Sequence, residues 1–250
     1  MITAYHRPQT LDEALTLLTQ PNILPLGGGT LLSKPTADPI EVADLQALGL
    51  DALKKTGNHL ELGATLTLQS LLESELCPPA LKSAIKLEAP LNIRNSATVA
   101  GTLIACDGRS TFASVLLAMD AKITASSTQK AEESLNIGDL LSLREQVRGK
   151  LITKITIPAN IKLAFEYVSK TPADKPLVCA ALAQWNSGRA RLAVGGYGVT
   201  PMLAMDGTEA EGIESAAKNA FHEANDPWAS AAYRMEVAAI LAKRCMDSLR

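Results

Sequence analysis

Pro25-Leu-Gly-Gly-Gly-Thr-Leu-Leu32 is the stretch on which the reading of this chain turns. Residues 22–26 are short and apolar and read as a strand that runs directly into Gly27, Gly28 and Gly29. Consecutive glycines let the backbone turn sharply and come close to whatever lies opposite. Successive N–H groups in such a turn form a nest for an anion, and the Thr30 hydroxyl adds a donor. A pyrophosphate fits that arrangement. The stretch is not a P-loop, because the Lys-Ser/Thr ending is missing, and it is not Gly-x-Gly-x-x-Gly. Taken alone, a glycine-rich tight turn with no ligand is the better account of it.

Around this loop the pattern alternates. Thr10 and Glu13 fit a capping box, and Leu11, Leu15 and Leu18 recur at helical spacing, so a helix is predicted over 11–19. Residues 40–45 and 59–63 read as strands. Thr67 caps a short helix to 72, Pro78-Pro79 opens another to 88, and Ser110 caps a third to 119. Residues 123–126 and 151–157 are strand-like, and Pro158 ends the second. From about 160 onward, strands over 165–169, 178–185 and 189–195 are followed by helices over 209–223 and 229–248. Strands followed by helices suggest an α+β unit.

The chain has 250 residues, 47% of them apolar and 20% charged, with a formal net charge of −2. That balance is ordinary for a globular chain and lacks the basic stripe of a nucleic-acid binder. The densest basic stretch, 144–154, reads as a solvated face. Cys77, Cys106, Cys179 and Cys245 are far apart, which is the wrong pattern for zinc or an iron–sulfur cluster. No site for a metal is expected. There is no basic start followed by an apolar run and no stretch of about 18 apolar residues. A cytoplasmic protein with no membrane span is expected.

A second segment, Ile93-Arg-Asn-Ser-Ala-Thr-Val-Ala-Gly-Thr102, places Gly101 among small residues and hydroxyls. Alone it reads as a structural loop. Together, the two segments resemble the FAD subunit family of the molybdenum hydroxylases, the flavoproteins of carbon monoxide dehydrogenase and xanthine dehydrogenase type. The resemblance runs nearly end to end. It includes Leu62-Gly-Ala-Thr65 with Leu68, Phe165-x-Tyr-x-x-Lys170 with Ala173-Asp174, Arg191-Leu-Ala-Val-Gly-Gly196 with Thr200-Pro201, and Asp226-x-x-Ala-Ser-x-x-Tyr-Arg234.

The resemblance implies an α+β fold. Two FAD-binding subdomains, about 1–55 and 56–158, form a domain over 1–158, and 159–250 forms a C-terminal α+β domain with a three-stranded sheet and helices. It implies that Leu26, Gly27, Gly28, Gly29, Thr30, Leu31 and Leu32 wrap the FAD pyrophosphate. Thr98, Val99, Ala100, Gly101 and Thr102 supply a second anion-binding turn. Ile152 and Lys170 fall at positions that approach the flavin end, although Lys170 also reads as an ordinary surface lysine. No residue is expected to be catalytic in its own right, because the flavin carries the redox chemistry.

The function implied is electron transfer. An iron–sulfur subunit passes electrons to FAD here, and a large molybdopterin subunit oxidises the substrate. A second reading is a non-catalytic homologue with lost or weakened FAD binding that acts in assembly or regulation. It is motivated by Ala100 and Thr102, which stand where the family has Gly and Asn, and by Thr111, where it often has Asp. A third is a binder of a different nucleotide diphosphate.

Overall fold

The structure is a computed structural model that describes residues 1–34 and 38–250. They fall into two compact units. One comprises residues 1–74, 91–105 and 122–157, and the other comprises 75–90, 106–121 and 158–250. This grouping follows packing, whereas a division at 158 follows chain order.

The first unit opens with a three-stranded parallel sheet in which Ile40–Asp44 lies between Ile2–His6 and Ile23–Leu26. The helix Leu11–Leu17 links the outer two strands. Its N-cap forms as the sequence predicts: Glu13 N–H donates to the Thr10 hydroxyl at 3.2 Å. The Glu13 carboxylate, however, accepts from Gln9 N–H at 2.7 Å, one residue earlier than a capping box specifies. Ala14 and Leu15 bury against Ile23, Ala43 and Leu151. Because Leu26 pairs with Asp44, the glycine loop leaves from the carboxyl end of a parallel sheet. Open α/β sheets bind ligands at that edge.

A five-stranded sheet completes the unit, in the order Leu53–Thr56, His59–Gly63, Leu151–Pro158, Lys122–Ser126, Glu133–Asn136. Short helices Leu68–Glu73, Leu91–Arg94, Val99–Ala105 and Ile137–Ser142 connect its strands. Thr67 caps the first of these, accepting from Ser70 N–H at 3.1 Å.

The second unit is built on a four-stranded antiparallel sheet ordered Met202–Gly207, Ala190–Gly195, Val178–Gln184, Lys162–Val168. Three strands were expected, so the strand Met202–Gly207 corrects that reading. Its sequence, Met-Leu-Ala-Met-Asp-Gly, contains no β-branched residue, and edge pairing to Ala190–Gly195 makes it a strand. The helix Thr111–Ala118 packs on the two central strands, and Ala231–Leu249 packs on Val178–Gln184 and Lys162–Val168. Covered on both faces, this strand is buried without alternation from Val178 to Ala183.

Arg234, fully buried, ties the last helix to the loop before it. Its Nη2 donates to both Asp226 carboxylate oxygens at 2.8 Å. Nη1 donates to the carbonyls of Ala224 and Ala229 at 2.6 and 2.7 Å, and Nε to Leu177 at 3.3 Å. The Asp226 to Arg234 motif is therefore a structural staple.

Candidate functional site

The glycine loop closes into a single turn. Ser33 N–H donates to the Gly29 carbonyl at 3.0 Å and Lys34 N–H to that of Leu31 at 3.1 Å. Gly29 adopts φ +69°, a conformation that favours glycine. Among the described residues, no protein group accepts the backbone N–H of Gly27, Gly28, Gly29, Thr30, Leu31 or Leu32. Six successive unengaged donors are what an anion nest requires.

Two of the three glycines meet the segment 96–98, one its backbone and one a side chain. A β-carbon on Gly28 would stand 1.6 Å from the Ser96 carbonyl oxygen, and one on Gly27 would stand 2.9 Å from the Thr98 hydroxyl. The close approach legible in the sequence is thus first of all an approach to the segment 96–98. From the other side, a β-carbon on Gly101 would lie 2.8 Å from the same Thr98 hydroxyl. Thr98, buried at 5% exposure, sits between the two glycine-bearing bends.

The second segment differs from the first in its donors. Val99 N–H donates to Leu66, Ala100 N–H to Ala64 and Thr102 N–H to Thr98, all to carbonyls, at 2.9, 3.2 and 2.8 Å. Gly101 N–H donates to the Thr98 hydroxyl at 3.1 Å. These amides are already engaged inside the unit. The segment braces the first loop and lines part of the cavity, with the amides of 99–102 engaged within the unit.

A cavity of about 470 Å³ opens over the loop, within the range usual for small-molecule sites. Gly27 through Leu32, Thr98, Ala100, Gly101 and Ile152 line it. Leu26, Val99 and Thr102 do not: Leu26 is held in the sheet by Leu45 N–H, Val99 is fully buried, and the Thr102 hydroxyl donates to the Thr98 carbonyl. Lys170 belongs to the other unit, where its ammonium lies 5.1 Å from the Trp228 ring centroid.

Sequence reasoning missed the wall formed by 144–151. The turn Arg144–Val147 and Gly149, at φ +74°, bring Arg144, Arg148 and Lys150 to the cavity. Arg144 Nη1 donates to the Ile104 carbonyl at 3.1 Å. Lys150 Nζ lies 2.5 Å from a Glu133 oxygen, and this hydrogen bond holds the Glu133 carboxyl below its usual range. The only signal in the sequence was the density of basic residues over 144–154, which also describes a solvated face.

In the second unit, the N-terminus of Thr111–Ala118 is occupied by protein. A Glu88 carboxylate oxygen accepts from Phe112 N–H at 2.9 Å and from the Ser110 and Thr111 hydroxyls at 2.8 and 3.2 Å. That carboxylate comes from the helix Pro79–Glu88, a non-local source that no local motif reveals.

Unengaged amides at the carboxyl edge of a parallel sheet, facing a cavity with cations on one wall, make an arrangement suited to an anionic ligand. The family model for the FAD binding domain in molybdopterin dehydrogenase matches residues 1–160, and the chain belongs to that family. It is 28% identical over 250 residues to the protein YgfM of Escherichia coli K12, covering 96% of this chain and 94% of that one. It is 26% identical over 220 residues to the glyceraldehyde dehydrogenase medium chain of Sulfolobus acidocaldarius, covering 81% and 78%. Among solved structures, a chain of reconstituted CO dehydrogenase from Oligotropha carboxidovorans superposes with a TM-score of 0.82 at 22% identity, covering 98% of this chain and 96% of that one. The α+β fold expected from the sequence is the fold of this family.

Proposed function

We propose that this chain is the FAD-carrying, electron-transferring subunit of a molybdenum-containing dehydrogenase. The observation that carries the proposal is the row of unengaged amides from Gly27 to Leu32, held over a cavity by the 96–98 segment. The residues fit the cofactor. Six donors in one turn match a diphosphate, while Ala100, Gly101 and Ile152 present small and apolar surface beside it. Bound FAD supplies the redox chemistry, accepting and releasing electrons. The chain's own residues bind it, orient it and hold the loop in shape.

The iron–sulfur clusters and the molybdopterin are assigned to an iron–sulfur subunit and a large molybdopterin subunit, so substrate oxidation requires those partners. This chain's four cysteines are buried free thiols far apart in sequence. Four free thiols suit the cytoplasm, where we place the assembly. Among the described residues no helix is long and apolar enough to cross a membrane. The test is to purify the chain and record its visible spectrum with and without added FAD. A flavin spectrum that stays with the protein through gel filtration supports the reading. A colourless protein that takes up no FAD favours the homologue with lost cofactor binding.

A further inference from the structure

Among the described residues, every charged side chain that lines the cavity of the first unit lies between positions 144 and 150: Arg144, Glu145, Arg148 and Lys150. Three cations thus oppose one carboxylate on a single wall, and the facing loop contributes amides and no charge. The three cations are not held alike. Arg144 is half-buried and donates to the Ile104 carbonyl, and Lys150 is half-buried and paired with Glu133. Arg148 is 77% exposed, and the structure pairs it with Glu145, itself 88% exposed, at 3.4 Å. Exposed pairs of this kind contribute roughly 0–1 kcal/mol, so Arg148 exchanges partners at little cost.

A guanidinium suits a phosphate better than an ammonium does, because its planar fork donates two parallel hydrogen bonds. A charge at a cavity rim acts chiefly on the rate of encounter and its salt dependence, because attraction reaches out about one Debye length, about 8 Å at physiological ionic strength. The wall and the loop therefore divide the task. The cations draw a dianionic group in, and the fixed amides hold it.

We propose that Arg148, backed by Arg144 and Lys150, is the capture residue of this site. It meets the diphosphate of an incoming dinucleotide and sets the rate at which the glycine loop is loaded. The inference rests on the reading of this cavity as the diphosphate site, and it defines the minimal ligand as a nucleoside diphosphate such as ADP. The flavin ring is not needed for capture.

The experiment uses the full chain freed of cofactor. Stopped-flow quenching of flavin fluorescence follows FAD association, and calorimetry follows ADP binding, for the wild type, Arg148→Ala, Arg148→Glu and Glu145→Gln. At low salt, Arg148→Ala is expected to slow FAD association several-fold and Arg148→Glu by about tenfold or more, while Glu145→Gln accelerates it. The differences should shrink in about 0.5 M salt, and dissociation rates should change by less than about twofold. ADP affinity should fall with Arg148→Ala, fall further with Arg148→Glu, and rise with Glu145→Gln. All these side chains are exposed, so folding is preserved.

If the wild type binds FAD but Arg148→Glu associates at the same rate at low salt, the capture role is overturned and the cofactor reading stands. If the wild type binds ADP in an Arg148-dependent way but takes up no FAD, the capture role stands and the cofactor reading falls. If it binds neither, both fall.

Discussion

Gly28 lies against Ser96 so closely that a β-carbon on the glycine would stand 1.6 Å from the Ser96 carbonyl oxygen. Both partners are backbone, so no rotamer change relieves the overlap. The loop and the segment beneath it are one structural object, and the loop's amides keep their direction because its back is fixed.

The substitution Gly28→Ala should therefore force the two segments apart. Overpacking of this kind costs about 1–3 kcal/mol or more, and FAD affinity should fall with it. The comparison is Gly57→Ala, at φ +58° with nothing within 4 Å of an added β-carbon, where only backbone strain of about 1–2 kcal/mol applies. Urea unfolding measures stability, and FAD titration separates the two variants: Gly57→Ala should bind normally and Gly28→Ala should not. Equal binding by both would contradict the bracing role.

Thr98 gives a second expectation. Its hydroxyl, on a buried side chain, accepts the N–H of the exposed Gly101 at 3.1 Å. Thr98→Val keeps the shape and removes that acceptor, at a cost of about 0.5–1.5 kcal/mol. Thr98→Ser should restore most of it. If denaturant midpoints of the Val and Ser variants coincide, the hydrogen bond contributes nothing to stability.

The Arg234–Asp226 pair sets a pH dependence in the second unit. Burial pushes the Asp226 carboxyl up, but hydrogen bonds from Arg234, Ala229 and Trp228, together with the guanidinium charge, bring it below its ordinary range. A carboxyl depressed in the folded state contributes its full stability above its unfolded value of about 3.9. That contribution is lost as pH falls through the folded value. Asp226→Asn should lower stability at pH 7, by up to about 3–5 kcal/mol for a broken buried pair, and should flatten the loss below about pH 4. Thermal unfolding from pH 3 to 7 tests this. An unchanged acid profile in the variant would contradict it.

Thiol chemistry provides a check on packing. Burial pushes Cys77, Cys179 and Cys245 up to about 12, so thiolate is scarce near neutral pH. Thiol reagents attack thiolates, so native protein should resist labelling at these three positions and react on unfolding. Rapid labelling of Cys179 without denaturant, located by peptide mass, would show that the sheet and the helix Thr111–Ala118 are not packed as described.

Local features of the fold were legible because their causes are local. Thr10, Thr67 and Ser110 each cap a helix with a hydroxyl three residues from the amide it accepts. The helix Val99–Ala105 was not legible. Gly101 inside it costs about 1 kcal/mol relative to alanine, and its first turn is held by the distant Leu66 and Ala64 carbonyls. The membership of Pro79–Glu88 and Thr111–Ala118 in the second unit was hidden for the same reason, because non-local packing decides it. At the site, the glycine loop announced itself through composition. The cation wall did not, because Arg144, Arg148 and Lys150 on a surface turn have the same composition whether or not a cavity opens beside them.

Amide hydrogen exchange of residues 27–32, measured by mass spectrometry on the cofactor-free chain and again at saturating FAD, tests the central claim most directly. Donors that take up a diphosphate exchange slowly while it is bound, so protection should rise by about tenfold or more across this peptide. Riboflavin, which lacks the diphosphate, should leave its exchange unchanged. Unaltered exchange of 27–32 in protein saturated with FAD would place the cofactor elsewhere and contradict the account.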